Sequence, residues 1–253
     1  MWNDIHTGKY EGMIAETVTI RGYNGDPVNA YYSRPLGDGN FPGLVLIPHM
    51  PGWDEYCREA ARRFTQHGYA VVCPDIYCRF GQGNPAEIAA KARETGGSPD
   101  EVVMGDCQGA VDFLKVQANT NGKVGAIGMC SGGRHAFMAA CRVEGIDAAV
   151  DCWGGNIFGE CTDLSGKKYN AMDFAKDLKC PLLGIFGNDD KFPTPDEVNR
   201  MEAILKELGK DYEFHRYDGA GHGIWYYHTP MYRQQQAMDS QEIAYSFLEK
   251  NLR

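Results

Sequence analysis

Residues 123–134 read Lys123-Val-Gly-Ala-Ile-Gly-Met-Cys-Ser-Gly-Gly-Arg134, and this stretch decides how the rest of the chain is interpreted. The apolar residues within 124–127 are typical of a strand that is covered on both faces of a parallel sheet. Gly128, Cys130 and Gly132 then match a Gly-x-nucleophile-x-Gly turn, with Cys where Ser is usual. Side chains at the two glycine positions would collide with the neighbouring strand and helix. The stretch therefore predicts a strand, a strained turn that carries a nucleophile, and a helix.

Two other readings of this turn stay open. Ser131 is the competing nucleophile, but Met129 would then occupy the first glycine position of the motif. The turn is also compatible with a purely structural role for an inert, buried Cys130. A helix over residues 132–141 favours the catalytic reading, because the amides and dipole at its N-terminus stabilise a thiolate.

Length and charge limit the class of protein. The chain has 253 residues and a net charge of −9, from 25 Lys and Arg against 34 Asp and Glu. An acidic chain argues against nucleic acid as a general partner. No apolar run approaches the roughly 20 residues of a membrane span, and residues 1–6 lack the basic and apolar regions of a signal peptide. The sequence thus predicts no membrane partner, and it leaves the oligomeric state unknown.

The number and spacing of the cysteines indicate a reducing compartment. There are nine, an odd number, and no two of them form a C-x-x-C pair. Unpaired cysteines in apolar surroundings behave as small hydrophobic residues. The pattern predicts a reducing cytoplasm and no metal site built from these thiols.

Strands and helices alternate from residue 43 onward. An antiparallel hairpin is predicted over residues 16–20 and 28–33, followed by strands at 43–47, 69–73, 124–127, 148–153, 181–186 and 212–217. Helices are predicted over about 55–67, 85–93, 99–119, 132–141, 195–208 and 239–252. We therefore expect one α/β domain over residues 1–253, with a doubly wound, mostly parallel sheet of about eight strands and helices on both faces.

Chemically suitable residues follow three of these strands. Cys130 follows the fifth strand, Asp189 and Asp190 follow the seventh, and His222 follows the eighth. Loops at the carboxyl ends of parallel strands meet at one edge of a sheet. The order nucleophile, acid, His is that of the α/β-hydrolase fold. We expect Cys130 to attack an acyl carbon, His222 to carry the proton, and one of the two Asp residues to orient the imidazole.

An oxyanion hole is expected beside the nucleophile. One donor should be the amide of Ser131, the residue after Cys130, and the other should come from the loop after the third strand. That loop reads Pro48-His-Met-Pro-Gly52, and its prolines have no amide proton to donate. Met50 is the predicted second donor.

At this level of detail the chain resembles the dienelactone hydrolase family, from about Val18 to the last helix. The matching pieces are Leu46-Ile-Pro-His-Met-Pro-Gly52, Gly68-Tyr-Ala-Val-Val-Cys-Pro-Asp-Ile-Tyr77, Gly128-Met-Cys-Ser-Gly-Gly133, Gly187-Asn-Asp-Asp-Lys-Phe-Pro193 and Tyr217-Asp-Gly-Ala-Gly-His-Gly223. The family's catalytic residues fall on Cys130, Asp190 and His222, which favours Asp190 over Asp189. The resemblance implies hydrolysis of a small ester or enol-lactone through a thioester, as in carboxymethylenebutenolidases, without a cofactor.

The resemblance also implies substrate contacts, with two departures from the family. The family carries a Glu in the loop after the third strand that helps to activate the Cys, and this chain has His49 there. Of the two arginines that hold a substrate carboxylate, Arg79 stands in place of the first and Tyr226 in place of the second. We expect His49 to tune the thiol or bind substrate, with a loop hydrogen bond as the alternative. We expect Arg79 to bind a carboxylate, with a surface ion pair as the alternative. Trp53, Trp153, Trp225 and Tyr226 are expected to wall the pocket, with ordinary packing as the alternative.

Two other function classes stay open at this stage. A binding protein with this fold but no activity is one, although a binder has no need of nucleophile, base and acid together. A redox role for the thiol-rich chain is the other, although no resolving partner is evident.

Overall fold

A computed structural model describes residue 10 and residues 12–253 of the chain. Residues 1–6, the basis for predicting no signal peptide, lie outside the described residues. The strands are β1 (Met13–Arg21), β2 (Pro27–Pro35), β3 (Phe41–Ile47), β4 (Ala70–Pro74), β5 (Thr120–Met129), β6 (Ala148–Cys152), β7 (Cys161–Thr162), β8 (Lys168–Tyr169), β9 (Leu182–Gly187) and β10 (Tyr212–Tyr217). The α-helices are α1 (Glu55–Gln66), α2 (Pro85–Glu94), α3 (Asp100–Lys115), α4 (Ser131–Arg142), α5 (Pro195–Glu207) and α6 (Gln234–Leu252).

Eight of the strands form one sheet in the order β1-β2-β4-β3-β5-β6-β9-β10. The β1–β2 and β2–β4 pairs are antiparallel, and all the other pairs are parallel. The short strands β7 and β8 form a separate antiparallel hairpin. The predicted hairpin and the mostly parallel sheet of about eight strands are confirmed.

Alternate residues of the central strands pack on opposite faces of this sheet. Val45 and Ile47 of β3 lie in a core that also contains residues of α2, α3, α4 and α5. Leu44 and Leu46 lie in a second core, which is closed by α1 and α6. Neither face of such a strand contacts solvent, which explains why the residues of β3 form an unbroken apolar run.

Several elements differ from the sequence prediction, and three of the differences are described here. Helix α3 ends at Lys115 rather than near residue 119, because β5 already begins at Thr120 and the chain must turn between them. Helix α6 begins at Gln234, five residues before the predicted start, because its polar first turn carries no apolar period. The segment between β6 and β9, where the sequence analysis predicts no strand, contains the β7–β8 hairpin.

No helix of the described part of the chain is both long enough and apolar enough to cross a membrane.

Candidate active site

Cys130 lies in a sharp turn between β5 and α4. Its backbone has φ 57° and ψ −125°, a left-handed conformation that costs a residue with a Cβ about 1–3 kcal/mol. A Cβ at Gly128 would overlap with the carbonyl of Gly132, and one at Gly132 would overlap with the carbonyl of Ile47. The two glycines are therefore required by close backbone approach, and the predicted strand, turn and helix are all present.

The loops after β9 and β10 bring an acid and an imidazole together. Oδ2 of Asp190 lies 2.9 Å from Nδ1 of His222, and its Oδ1 accepts a hydrogen bond from the amide of Phe192 at 2.9 Å. Asp190 is buried, whereas Asp189 is exposed. The carboxylate that contacts the imidazole is therefore that of Asp190.

Cys130 and His222 shift each other's protonation. Burial alone would raise the pKa of the Cys130 thiol, but the hydrogen bond with His222 and the amide of Ser131 outweigh burial and lower the pKa. Burial alone would lower the pKa of His222, but its hydrogen bonds with Asp190 and Cys130 raise it to about 10. The pair therefore favours a thiolate beside an imidazolium, which is the reactive form of a cysteine nucleophile.

Ser131 and Met50 are the two residues predicted for the oxyanion hole. The amide of Ser131 is hydrogen-bonded to the Cys130 sulfur, while the Ser131 hydroxyl is buried and has no partner among the described residues. Met50 is 47% exposed, and its carbonyl accepts a weak hydrogen bond from Tyr77 at 3.4 Å. Both residues line the cleft that contains Cys130 and His222.

This cleft has a volume of about 760 Å³. Its apolar wall is formed by Met50, Ile76, Tyr77, Val103 and Phe192. A volume in this range suits a small molecule, and the mixture of apolar walls with a few polar groups is typical of ligand pockets.

The lining of the cleft also includes a buried polar group that the sequence analysis missed. The Arg134 guanidinium donates two hydrogen bonds of 2.7 Å to the carboxylate of Asp100. Nε2 of His135 lies 3.0 Å from the same carboxylate, and the Tyr169 hydroxyl donates to it as well. Three segments far apart in sequence contribute to this group, so no local motif could have revealed it.

His49 is buried rather than exposed in the cleft. Its Nε2 lies 3.0 Å from Oδ2 of Asp54, and its Nδ1 lies 2.9 Å from the hydroxyl of Tyr226. Burial alone would lower the pKa of His49, but hydrogen bonds with Asp54 and Cys57 raise it to about 10. Neither His49 nor Tyr226 is among the residues that line the cleft. The prediction of direct substrate contact by these two residues therefore does not agree with their positions.

The tryptophans also lie elsewhere. Trp153 is fully buried, and its ring packs edge-on against Trp225 and Tyr226. Trp53 donates from Nε1 to the Cys73 carbonyl at 3.0 Å and borders a different surface cavity. The packing alternative therefore describes Trp153, and Trp53 does not reach the cleft.

The position of Arg79 differs most clearly from the sequence prediction. Its guanidinium donates to both oxygens of Asp106, at 2.8 and 2.9 Å, and its Nε donates to Asp26 at 2.9 Å. Arg79 borders the same separate cavity as Trp53 and not the cleft of Cys130. The expectation that Arg79 binds a substrate carboxylate is wrong in position, because the carboxylates it holds belong to the protein.

One group of side chains has the composition of a metal site. Among the described residues, ligand atoms of His49, Asp54 and Cys57 lie within 4.8 Å of one another. All three are engaged in hydrogen bonds, since His49 contacts Asp54 and Cys57, and Cys57 donates from Sγ to the carbonyl of Gly52.

Comparisons with known proteins agree with this geometry. A family model described as the dienelactone hydrolase family matches residues 28–252. A protein of Methylorubrum extorquens, provisionally named carboxymethylenebutenolidase, is 31% identical over 237 residues, which are 90% of this chain and 78% of that protein. The carboxymethylenebutenolidase of Pseudomonas putida is 27% identical over 221 residues, 84% of this chain and 86% of that protein.

Solved structures show the same architecture. A crystal structure from Klebsiella pneumoniae, of a protein provisionally described as a dienelactone hydrolase, has a TM-score of 0.85 at 26% identity. It covers 95% of this chain and 100% of that one. The α/β-hydrolase fold predicted from the sequence is therefore confirmed. Because the family model spans most of its length, the chain belongs to the dienelactone hydrolase family of hydrolases.

Proposed function

We propose that the chain hydrolyses an ester or enol-lactone through a thioester on Cys130. His222 carries the proton in both half-reactions, and Asp190 orients the imidazole. One observation carries the proposal: a cysteine in a strained strand-to-helix turn is hydrogen-bonded to an imidazole whose other nitrogen lies 2.9 Å from a buried carboxylate. This is the arrangement that nucleophilic acyl transfer requires.

The first half-reaction forms the thioester. The Cys130 thiolate attacks the carbonyl carbon, and the negative charge moves to the carbonyl oxygen. The amides of Ser131 and Met50 are the proposed donors for that oxyanion. When the tetrahedral intermediate collapses, the carbon–oxygen bond of the ester breaks, and the departing oxygen takes the proton of the His222 imidazolium.

The second half-reaction releases the product. His222, now neutral, takes a proton from a water molecule, and the resulting hydroxide attacks the thioester carbon. Collapse of the second intermediate expels the Cys130 thiolate and yields a carboxylic acid. Water is the only co-reactant, so the proposal needs no cofactor. In a lactone the expelled oxygen remains attached to the same molecule, and a single hydroxy acid or keto acid leaves the site.

The substrate class rests on the relatives and on the cleft. The Pseudomonas putida relative is named for a butenolide, an unsaturated five-membered lactone that carries a carboxymethylene group. A cleft of about 760 Å³ with apolar walls and Cys130 among its lining residues supports a small ester or lactone of this kind. The curated relatives are named as enzymes, which favours catalysis over the binding-protein alternative.

Trapping the covalent intermediate tests the proposal. The purified protein is mixed with a short aryl ester or a butenolide, quenched in acid after a few turnovers, and digested with trypsin. Cleavage after Lys123 and Arg134 yields peptide 124–134, in which Cys130 is the single cysteine. We expect the acyl group on this peptide and on no other cysteine peptide. Turnover with no acylated peptide 124–134 would contradict the thioester route.

A further inference from the structure

His49, Asp54 and Cys57 form a compact group of side chains at the start of α1, outside the catalytic triad. One ligand atom of each residue lies within 4.8 Å of the ligand atoms of the other two. Nε2 of His49 lies 3.0 Å from Oδ2 of Asp54. An imidazole nitrogen, a carboxylate oxygen and a thiolate are the three kinds of ligand that zinc binds in proteins.

The local backbone explains why these three side chains meet. A tight turn, in which the amide of Gly52 donates to the carbonyl of His49 at 2.8 Å, reverses the chain just before α1. Asp54 is the N-cap residue of α1, and its Oδ1 accepts a hydrogen bond from the amide of Cys57 at 3.0 Å. Residues three apart at the start of a helix are neighbours on its surface. The pattern His-x4-Asp-x2-Cys therefore brings three ligands together within one short stretch of chain.

The separations within the group are close to those that a zinc ion requires. Bonds of about 2.0–2.1 Å to nitrogen and oxygen and about 2.3 Å to sulfur place tetrahedral ligand atoms about 3.3–3.6 Å apart. The distance of 3.0 Å between Nε2 of His49 and Oδ2 of Asp54 must widen by about 0.3 Å. Sγ of Cys57 starts no farther than 4.8 Å from the other ligand atoms, so it must move by about 1.2 Å at most. Small side-chain rotations are enough for both changes.

Protons take the place of the ion when no metal is bound. An ionised carboxylate only accepts hydrogen bonds, so the proton between Asp54 and His49 is on Nε2. Sγ of Cys57 donates to the carbonyl oxygen of Gly52 at 3.4 Å. Binding of a zinc ion displaces both protons. The same carbonyl oxygen then lies beside the fourth position of the tetrahedron.

The surroundings of the group suit a bound ion. Nδ1 of His49 lies 2.9 Å from the hydroxyl of Tyr226, and a ligating His normally donates its other N–H to an oxygen, which fixes the ring. His49 and Cys57 are 6% and 2% exposed, whereas the side chain of Asp54 is 29% exposed and leaves a route of entry. The charges of Asp54 and Cys57 together balance the two charges of zinc, so the buried site is neutral overall.

We propose that His49, Asp54 and Cys57 bind one zinc ion, with an oxygen from the Gly52 carbonyl or from water in the fourth position. Hydrolysis does not pass through this ion. The ion ties the loop that contains Met50, a proposed oxyanion donor, to the first turn of α1. The lack of paired cysteine spacings argues against a site made of several thiols, and it does not bear on one thiol that joins an imidazole and a carboxylate.

Substitution with cobalt tests the site by spectroscopy. The full-length protein is reduced, treated with a chelator, desalted and titrated with Co²⁺ without oxygen. We expect one Co²⁺ per chain, with the visible absorption bands of a tetrahedral ion and a sulfur-to-cobalt charge-transfer band in the near ultraviolet. Added Zn²⁺ should remove both signals, because zinc binds such ligands more tightly than cobalt does.

Variants assign the signals to individual ligands. Cys57→Ser should abolish the charge-transfer band, and His49→Gln and Asp54→Asn should each weaken Co²⁺ binding by more than about 100-fold. Tyr226→Phe removes only the partner of a ligand and should weaken binding by about 10–100-fold. Cys130→Ala is the matched control, because it removes the other thiol that is hydrogen-bonded to an imidazole, and it should keep both signals.

Three results would overturn the proposal. The first is a parent protein that shows no tetrahedral Co²⁺ spectrum. The second is a charge-transfer band that persists in Cys57→Ser or disappears in Cys130→Ala, which would assign the ion to the catalytic cysteine. The third is a spectrum that Zn²⁺ does not remove, which would exclude zinc as the ion.

Thermal unfolding decides the question if Cys57→Ser does not fold. In Cys130→Ala, Zn²⁺ should raise Tm, because a ligand that binds only the folded state stabilises it. The rise should be much smaller when Asp54→Asn is added to Cys130→Ala. No rise in Cys130→Ala, or an equal rise in the two proteins, would refute the site. Both proteins lack the Cys130 thiol, so the outcome is independent of the proposed hydrolysis.

Discussion

Oδ2 of Asp190 lies 2.9 Å from Nδ1 of His222. Asp189, one residue earlier, is exposed. Its backbone amide donates a hydrogen bond to the carbonyl of Ala220, in the loop after β10. We expect Asp190→Asn to lower kcat by at least about 100-fold, because an amide cannot stabilise the imidazolium and favours the wrong tautomer. Asp189→Asn should change kcat less than about threefold, since exposed substitutions away from a site have small effects. Steady-state kinetics on one ester decide the matter, and a larger loss in Asp189→Asn would show that Asp189 is the acid.

The nucleophile can be distinguished from its neighbour. Cys130→Ala should reduce hydrolysis to the uncatalysed background, whereas Ser131→Ala should keep most of it, because the proposed role of Ser131 uses its backbone amide. The Ser131 hydroxyl is buried and has no partner within the described part of the chain, so its removal should leave the free energy of unfolding unchanged or slightly higher. Activity and urea unfolding are measured on the same preparations. Turnover that survives in Cys130→Ala would refute the mechanism.

Removal of the His222 imidazole should raise the pKa of Cys130 and so reduce the fraction of thiolate. A thiol is deprotonated above its pKa, so the lowered pKa of Cys130 extends alkylation to lower pH. In His222→Gln the effect of burial is no longer outweighed by the imidazolium, and the profile should move to higher pH. We expect alkylation of peptide 124–134 at pH 7 to slow by about tenfold or more, as a shift of one pKa unit implies. An unchanged rate would mean that His222 does not hold the thiolate.

Arg79 should contribute to stability rather than to specificity. The side chain of Asp106 is fully buried, and Arg79→Ala leaves that carboxylate without its guanidinium. Breaking a buried ion pair in this way is expected to lower the free energy of unfolding by about 3 kcal/mol. The ratio of kcat/KM for a carboxylate-bearing lactone to that for a neutral ester should stay the same. A selective loss for the charged lactone would instead restore Arg79 to substrate binding.

Much of the site could be read from the sequence because its backbone requirements are local. The elbow needs glycines at fixed offsets from Cys130, and the apolar run of β3 leaves few alternatives to a central strand. Parallel strands then bring their following loops to one edge, so Asp190 and His222 meet although 32 residues separate them. The glycine turn depends on side-chain size, and the meeting of the loops depends on the order of the strands, and both can be inferred from the sequence.

The substrate contacts could not be read in the same way, because they depend on which partner each side chain finds. Asp106 lies on α3, 27 residues after Arg79, and nothing local shows that its carboxylate faces inward. Tyr226 follows the His222 turn, where an outward and an inward ring are equally compatible with the sequence. The inward position follows from the contacts with Trp153 and Tyr56, which only the folded chain brings together.

The ion pair of Arg134 and Asp100 limits how the cleft can diversify. Arg134 stands four residues after Cys130 and pairs with Asp100. A substitution that changes the charge of either residue breaks this buried ion pair. The cost is roughly 3–5 kcal/mol, out of the 5–15 kcal/mol that stabilises a typical domain. Met50 and Phe192 also line the cleft, and because they are 47% and 51% exposed they belong to its rim and can be exchanged at little cost. Substitutions that adapt the cleft to new substrates, in nature or by directed evolution, are therefore expected mainly at the rim. Libraries that randomise Met50 and Phe192 should yield more folded variants than libraries that randomise Asp100 and Arg134.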